Sequence, residues 1–394
     1  MILYHVKSGD SIFRIARTFG VSAVKLMEDN CILTPDRLAE GDCILISQPT
    51  QIYTVGGGDT LAHIAARFEV GLGDLLRNNP SLAGKTRLYP GQNLSTRMQS
   101  PGGGTLLTLA HATGSESDDE LCALLPYLSN LCFLGAFLSP KRGLQIPQRA
   151  GRIQSLCKEY GVHSFIRLPY DALLPSNAEN LSAILGDEWC GLELSVPPSG
   201  DVNNAAIKAL RDRLRGFGKA LFLHVQTNPK NAPYVISKLT ENADAVVWET
   251  HPPALISLKE ECLLFERISE ACDPDKIIPL LSACGIDVDT ETEQLTQVPP
   301  SKFAMLAAQK NAAISYDEDL ATSRFHYKMH HGGKSREHRV QCMLADGFSS
   351  RIHRMDAFGF RGIGIMEAFP FYAPLWLMLQ SDFRILKGGF GRLC

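Results

Sequence analysis

Three glutamates lie at or just after the ends of short apolar runs, where a parallel sheet would collect its reactive residues: Glu193, Glu249 and Glu367. Neighbouring carboxylates can serve as general acid and base when their surroundings push their pKa values apart. Alternate residues of a strand face opposite sides, so strand register decides whether these side chains share one face. Glu193 and Glu249 are the candidate catalytic residues. The alternative, which we favour, is that such glutamates are solvated or pair with cations such as Arg167 and Arg361.

The residues that could bind a metal do not have the sequence spacing of a metal site. His224 and His251 have Asp and Glu residues nearby, but nothing in their spacing indicates a site. The eleven cysteines contain no CxxC pair, so no metal and no cofactor is expected. Several lie in apolar stretches, as free thiols do in a reducing compartment. Reduced and mostly buried thiols are expected at Cys132, Cys157, Cys190 and Cys284.

From Leu106 onward, short apolar runs alternate with amphipathic stretches of helical spacing, such as Asn203–Gly216 and Ala232–Asn242. Eight such units in about 290 residues favour a (β/α)8 TIM barrel, whose chemistry lies at the carboxyl ends of the strands. An open doubly wound sheet is the alternative, but no GxGxxG turn follows the first strand. The predicted strands are Leu106–Ala110, Leu131–Phe137, Ser164–Leu168, Gly191–Val196, Ala220–Val225, Ala245–Trp248, Ile277–Leu281 and Gly362–Met366.

The N-terminal segment contains an internal repeat, because Val6–Val21 recurs 49 residues later as Val55–Val70. In each copy a Gly-Asp-Ser or Gly-Asp-Thr turn ends on a helix N-cap, and apolar residues follow at i, i+3, i+4 and i+7. A second short helix, a glycine turn and a final strand complete the copy. The pattern predicts two small β-α-α-β units.

Both copies resemble the LysM module, over residues 2–47 and 51–96. The resemblance implies that N-acetylglucosamine polymers bind in a shallow groove between the first strand–helix loop and the second helix–strand loop. Most of these residues also specify turns and caps whether or not a sugar binds. The implied groove residues are Gly9, Asp10, Ser11, Ile12, Asn30, Cys31 and Ile32 in the first copy, and Gly58, Asp59, Thr60, Leu61, Asn79 and Pro80 in the second.

The barrel segment resembles family-18 glycoside hydrolases, and among them the bacterial spore-associated N-acetylglucosaminidases with two N-terminal LysM modules. Residues 314–318, 325–327 and 360–365 carry the resemblance, with 274–279 and 374–377 in support. It implies substrate-assisted catalysis, in which the acetamido oxygen of the sugar attacks the anomeric carbon. A glutamic acid at the end of strand four then supplies the proton, and preceding aspartates orient the acetamide.

The residues that this resemblance requires for catalysis are missing. When the family pattern Asp-x-x-Asp-x-Asp-x-Glu is aligned on Gly191, Ser195 takes the place of the last Asp and Pro197 that of the acid. Proline has no proton to donate. His251 stands where strand six should offer a tyrosine, and Met366 where strand eight should offer a tryptophan. Losses at three strand ends predict a degraded catalytic site.

Composition excludes several function classes. The net charge of −3 gives no electrostatic reason to expect nucleic acid or an acidic membrane surface as a partner. No apolar run reaches the roughly 18 residues that a membrane span needs. The segment Met1–Val6 enters a strand pattern at once, without the features of a signal peptide.

Cys31 and Cys43 would be able to pair if oxidised, but two buried thiols are expected. Synthesis in a cytoplasm is expected, with deposition on a spore or cell wall.

The sequence thus predicts an α/β chain of two small βααβ LysM modules and a (β/α)8 TIM barrel. The predicted bounds are 1–48 and 50–97 for the modules, 98–104 for a short flexible linker and 105–394 for the barrel. The His-rich stretch 326–338 is expected to be an exposed hairpin turn before the last helix. The expected function is binding of peptidoglycan, of spore cortex or cell wall, by a protein whose barrel is non-catalytic or much altered. The alternatives are an active N-acetylglucosaminidase with a relocated acid and a spore-coat assembly scaffold; the sequence indicates no protein partner.

Overall fold

The computed structural model describes residues 1–82, 84–85, 87–99, 101–139, 143–173, 188–250, 256–331 and 334–387. Two small strand–helix–helix–strand units precede a closed barrel of eight parallel strands, as the sequence predicted. We call the two units the first repeat (residues 1–48) and the second repeat (residues 50–97). His251 lies outside the described residues.

Each repeat is a two-stranded antiparallel sheet that covers its helices. Ser11 and Thr60 accept hydrogen bonds from the backbone N–H groups of Arg14 and His63, which confirms the predicted N-caps. The first repeat consists of strand Ile2–His5, helices Ile12–Phe19 and Ala23–Asp29, and strand Cys43–Ile46. The second consists of strand Gln51–Thr54, helices Leu61–Arg67 and Leu72–Arg77, the 3-10 turn Pro80–Leu82 and strand Asn93–Arg97.

The barrel closes because its eighth strand pairs with its first, and each of the eight predicted strands is present. One predicted strand, Leu131–Phe137, ends at Phe133, and Phe137–Ser139 instead forms a small hairpin with Gly143–Gln145. The barrel strands are Thr105–Ala112, Asn130–Phe133, His163–Pro169, Gly191–Ser195, Ala220–Gln226, Ala245–Glu249, Ile277–Ser282 and Gly362–Met366. Its described helices are Asp118–Leu124, Arg149–Glu159, Asn204–Gly216, Ala232–Thr240, Leu258–Ala271, Pro300–Gln309, Ala345–Ala357 and Ala373–Asp382.

Alternate residues of the barrel strands fill the interior with an apolar layer. At its centre the rings of Phe165 and Phe222 stack with centroids 4.3 Å apart. A Cβ on Gly191 would lie 2.4 Å from the Phe165 ring, so glycine leaves room for this stack. One step further along each strand, the same alternation turns polar side chains inward at the carboxyl end of the barrel.

An antiparallel sheet of five strands, which was not predicted from the sequence, is inserted along the chain between barrel strands seven and eight. The expected hairpin at 326–338 is part of this sheet, but two helices follow it, not one. His338 is buried, stacks on Tyr327 with ring centroids 4.7 Å apart, and lies 3.0 Å from a carboxylate oxygen of Asp287. The sheet strands are Gly285–Asp289, Leu295–Val298, Ser315–Asp317, Thr322–His331 and Lys334–Cys342.

The first repeat packs directly against the barrel, because strand Cys43–Ile46 is buried on both faces. Ile44 and Ile46 belong to the core of the repeat. Leu45 faces the other way and packs on Ala373, Leu377 and Met378 of the last barrel helix. The repeat and the barrel therefore share one apolar interface.

The tight turn at Gly41 contacts the barrel at the edge of this interface. The backbone N–H of Ile314 donates to the carbonyl oxygen of Glu40 at 2.8 Å. Gly41 has φ +82°, and a Cβ there would lie 2.0 Å from the carbonyl oxygen of Ile314. Only glycine fits both the conformation and the close approach.

The predicted linker follows the barrel surface. The N–H of Gly103 donates to the carbonyl oxygen of Asp382 at 2.9 Å, and a Cβ on Gly103 would lie 2.4 Å from that oxygen.

The second repeat makes polar contacts with both the barrel and the first repeat. Arg77 donates to the carbonyl oxygen of Pro126 at 2.9 Å, and Lys25 of the first repeat donates to the carbonyl oxygen of Asn78 at 3.1 Å. Within the described part of the chain, no helix combines the length and apolar character needed to cross a bilayer.

Candidate functional site

Glu193, on barrel strand four, projects into the barrel and is completely buried. Its Oε1 atom accepts a hydrogen bond from Nε of Arg167 at 2.5 Å and also contacts Nη2 of that guanidinium. Nε2 of His111 lies 3.1 Å from the same oxygen and 2.7 Å from Nη2 of Arg167. A neutral imidazole can either donate to Glu193 or accept from Arg167 through that nitrogen.

The charges at this site fix the protonation of Glu193. Burial alone would raise the pKa of its carboxyl group, but the Arg167 guanidinium and His111 outweigh burial and hold the pKa well below its usual range. Burial lowers the pKa of His111, against the pull of Glu193. Glu193 is therefore an ionised carboxylate at every physiological pH, which is the opposite of what a proton donor requires. The expectation that a strand-end glutamate pairs with Arg167 holds here.

Glu249, at the end of strand six, pairs with His224 of strand five. His224 Nε2 and Glu249 Oε1 are 2.9 Å apart, at an angle outside that of a good hydrogen bond. This contact lowers the pKa of Glu249, although partial burial acts in the opposite direction. The rings of His111 and His224 lie edge to face with centroids 6.2 Å apart, so strands one, three, four, five and six contribute to one inward-facing polar cluster. Glu249 therefore belongs to the same site as Glu193.

Glu367, just after strand eight, differs from the other two glutamates. It accepts a hydrogen bond from Oγ of Ser282 at 3.0 Å, and its backbone has the left-handed φ of +46°. Burial raises the pKa of its carboxyl group, and the negative charge of Glu249 acts in the same direction. Glu249 and Glu367 are thus two neighbouring carboxylates whose pKa values are pushed apart.

The family positions at the strand ends hold residues without acid function. Ser195 ends strand four opposite His224, and half-buried Pro197 follows it. Met366 ends strand eight and packs against the apolar layer of the barrel interior.

The polar cluster also bears on metal binding. His111, Cys132 and Glu193 bring their potential ligand atoms within 4.8 Å of one another. The guanidinium of Arg167, however, lies against both His111 and Glu193. A metal ion there would sit beside a permanent positive charge, so these residues do not fit one.

In the repeats, the Gly-Asp turns are organised by their own hydrogen bonds. Asp10 accepts from the Tyr4 hydroxyl at 2.6 Å and the Lys7 N–H at 2.8 Å; these bonds lower its pKa. Asp59 is bound in the same way by Tyr53 and the N–H of Gly56. Gly9 and Gly58 are exposed at φ +79° and +87°.

The paired asparagines fasten each second helix to the final strand. The side-chain amide of Asn30 donates to the carbonyl oxygens of Leu26 and Leu45 and accepts from the Leu45 N–H at 2.7 Å. Asn79 makes the equivalent three bonds to Leu75 and Ser95.

The other groove residues differ in exposure. Ile12 is fully buried, so a ligand would reach only its backbone. Ser11, Cys31, Ile32 and Leu61 are half-buried, Thr60 is exposed and Pro80 is buried. All of these assignments stay predictions.

Sequence reasoning missed His111 in the barrel site. The signal was present in strand one, where Leu107, Leu109 and His111 share the inward face. A single histidine in an apolar run does not by itself show which distant strands will face it.

Comparisons with known proteins identify the repeats and the barrel fold. The family model described as LysM domain matches residues 4–47 and 53–96, so the chain contains two LysM domains. No curated protein sequence matches the chain.

Solved structures match over nearly the whole chain. The spore cortex-lytic enzyme SleL of Bacillus megaterium QM B1551 has a TM-score of 0.76 at 19% identity, covering 98% of each chain. SleL of Bacillus cereus has a TM-score of 0.73 at 19% identity, covering 98% of this chain and 99% of that one. A chitinase from Chromobacterium violaceum has a TM-score of 0.60 at 15% identity, covering 71% of this chain and 99% of that one. At such identities these likenesses establish the fold.

Proposed function

We propose that this chain of two LysM domains and a (β/α)8 barrel binds N-acetylglucosamine-containing glycan of bacterial cell-wall or spore peptidoglycan, and that its barrel does not perform the family-18 hydrolytic reaction. LysM resemblance supports the glycan as ligand. The SleL structures, whose names state that they lyse spore cortex, support a wall glycan and a location at the spore or cell wall. The barrel then acts as a sugar-binding or scaffolding domain.

The absence of a proton donor at strand four carries the proposal for the barrel. Expelling a sugar alkoxide near neutral pH needs a positioned acid, which is worth about 10² to 10⁴ in rate. Pro197 offers no proton, and Ser195 offers no charge to stabilise an oxazolinium ion. The carboxylate that does lie on strand four, Glu193, has a pKa well below its usual range and accepts from Arg167. The site therefore lacks an acid where the reaction needs one.

The test is an assay of the full chain on muropeptides and chitin oligosaccharides, with a cortex-lytic enzyme as positive control. We expect no release of reducing N-acetylglucosamine ends above buffer. The same preparation should sediment with insoluble peptidoglycan. Release that disappears in Glu193→Gln without loss of folding would overturn the proposal for the barrel, and failure to sediment would overturn the proposal for the LysM domains.

A hydrolase with a relocated acid is a second candidate, favoured by Glu367. Its half-buried carboxyl group has a raised pKa and feels the charge of Glu249, whose pKa is lowered. In that case Glu367 would donate the proton, and Glu367→Gln would abolish the release of reducing ends. Ser282→Ala, which removes the hydrogen bond to Glu367 but keeps the carboxyl group, would leave measurable release.

A further inference from the structure

Three residues with metal-binding side chains meet where the first repeat contacts the barrel. They are His5, Cys43 and Asp346, and their potential ligand atoms all lie within 4.8 Å of one another. His5 and Cys43 are register partners on the two strands of the first repeat. Asp346 lies in the first turn of barrel helix Ala345–Ala357. The group therefore spans two domains.

The spacing of these atoms suits one small cation. Nε2 of His5 is 3.8 Å from Oδ2 of Asp346. Two nitrogen or oxygen ligands of a tetrahedral zinc ion are about 3.3 Å apart, and a sulfur and an oxygen ligand about 3.5 Å, from the usual bond lengths. Small side-chain movements would reach these separations. His5 can make them, because half of its side chain is exposed.

Asp346 carries a buried oxygen atom that has no well-formed hydrogen bond among the described residues, although the Cys43 thiol and His5 lie near this carboxyl group. The residue is 8% exposed, and its Oδ1 accepts from the N–H of Gly347 at 2.7 Å. Its Oδ2, which faces His5, accepts no hydrogen bond within the described part of the chain. Buried carboxylate oxygens are normally paired, so this atom indicates a missing cationic or donor partner.

A second buried carboxyl group adds to the negative charge. Asp42, directly before Cys43, is 7% exposed. Asp42 and Asp346 thus place two mostly buried carboxyl groups at the boundary between the first repeat and the barrel.

The surrounding backbone holds the group in place. The hydrogen bond from Ile314 to Glu40 and the close approach of Gly41 to Ile314 fix the turn that leads into Asp42 and Cys43. The adjacent contact of Leu45 with the last barrel helix fixes the other end of the same strand.

We propose that His5, Cys43 and Asp346 bind a zinc ion that fastens the first repeat to the barrel. One thiolate, one imidazole and one carboxylate form a ligand set that zinc accepts, with water in the fourth position. The Cys43 thiol gives up its proton to solvent when the zinc–sulfur bond forms.

The experiment uses the full-length reduced protein, stripped of metal with a chelator and titrated with Co²⁺, followed by displacement with Zn²⁺. We expect one equivalent of cobalt to give a thiolate-to-cobalt charge-transfer band. His5→Gln removes a direct ligand, so it should weaken binding by more than the roughly tenfold that loss of a ligand's hydrogen-bond partner costs. The His5 side chain is half exposed, so the protein should tolerate this substitution. Cys43→Ser should abolish the band.

Matched controls separate this site from other histidines and cysteines. His63→Gln, in an exposed position of the second repeat, and Cys262→Ser, in a barrel helix, should bind cobalt as the unaltered protein does. At the same zinc concentration, the melting temperature should rise less in His5→Gln than in the unaltered protein and both controls. Absence of the charge-transfer band in the unaltered protein, or equal zinc affinity in His5→Gln and His63→Gln, would overturn the proposal.

Discussion

Glu193 and Arg167 form a buried ion pair at the carboxyl end of the barrel, with side chains 0% and 18% exposed. We expect Glu193→Gln to lower the free energy of unfolding by about 3 to 5 kcal/mol at neutral pH, because Arg167 keeps its charge without a counterion. Denaturant unfolding measures this loss. In Glu249→Gln, the matched control, the loss should be only about 1 kcal/mol, because the Glu249 side chain is 15% exposed. Equal losses in the two variants would contradict the structural role of Glu193.

The pH dependence of Glu193→Gln should follow from the same pair. The folded-state pKa of Glu193 is lowered, so its contribution is present above the unfolded value of about 4.3 and is lost as pH falls towards the folded value. The variant lacks that contribution, so its stability should fall less steeply in acid than that of the unaltered protein.

Glu367 should show the opposite sign. Burial raises its folded-state pKa, so its favourable contribution is present below an unfolded pKa of about 4.3 and is lost as pH rises through the folded value. Glu367→Gln mimics the protonated acid. We expect melting temperatures that match the unaltered protein near pH 4 and exceed it near pH 8. A variant that is less stable at pH 8 would mean that the Glu367 carboxylate has a cationic partner.

At the scale of single residues, the sequence predicted that three glutamates lie near strand ends, but not which face each would take or what each would meet there. The positions of Glu193, Glu249 and Glu367 follow from the apolar runs that precede them, whereas their orientation depends on the strand register. Their different pKa directions depend on Arg167 for Glu193 and on His224 for Glu249, which other strands supply, and on burial for Glu367. Such partners are set by barrel closure, which no local pattern encodes.

At the scale of elements, the final strands of the two repeats differ in one informative position. Leu45 and Ser95 are equivalent, since each exchanges backbone hydrogen bonds with the asparagine of its own repeat. Leu45 packs on the last barrel helix. The leucine is therefore explained by docking and not by the LysM fold.

Replacing Leu45 with the serine of the second repeat should separate these roles. We expect Leu45→Ser to cost about 2 to 5 kcal/mol, as other buried leucine truncations do, while the core residues Ile44 and Ile46 stay packed. Protease should then cut the 98–104 segment faster than in the unaltered protein. Ser95→Ala is the control and should leave the cutting rate unchanged. Unaltered cutting in Leu45→Ser would show that this contact does not hold the first repeat in place.

The eight barrel strands could be predicted because each is a short apolar run between polar segments. The five-stranded sheet was missed because its strands are mostly polar; Leu295–Val298, for example, has three exposed residues in four. Strand Cys43–Ile46 was predicted as a strand, but a run that is apolar at every position does not show what covers its second face.

At the scale of the whole molecule, the two LysM domains lie on one short connection, so a second glycan contact is intramolecular once the first has formed. We expect the fragment 1–97 to sediment with insoluble peptidoglycan or chitin, and to bind more tightly than either repeat alone. A fragment that stays in the supernatant would contradict this.

Leu3 and Leu45 lose their barrel contacts in the fragment, so it should self-associate, and Leu45→Ser should keep it monomeric. Analytical ultracentrifugation distinguishes the two states.

The docking of Leu45 also has a consequence for the order of synthesis. Its partners Ala373, Leu377 and Met378 leave the ribosome more than 300 residues later. At roughly 5 to 20 residues per second, the first repeat waits on the order of 15 to 60 s with this face uncovered. During that interval the nascent chain carries a folded LysM module with an exposed apolar face. Several ribosomes that translate one mRNA hold such modules close to one another. We therefore expect the fraction of correctly assembled protein to depend on translation speed and on chaperones that cover this face.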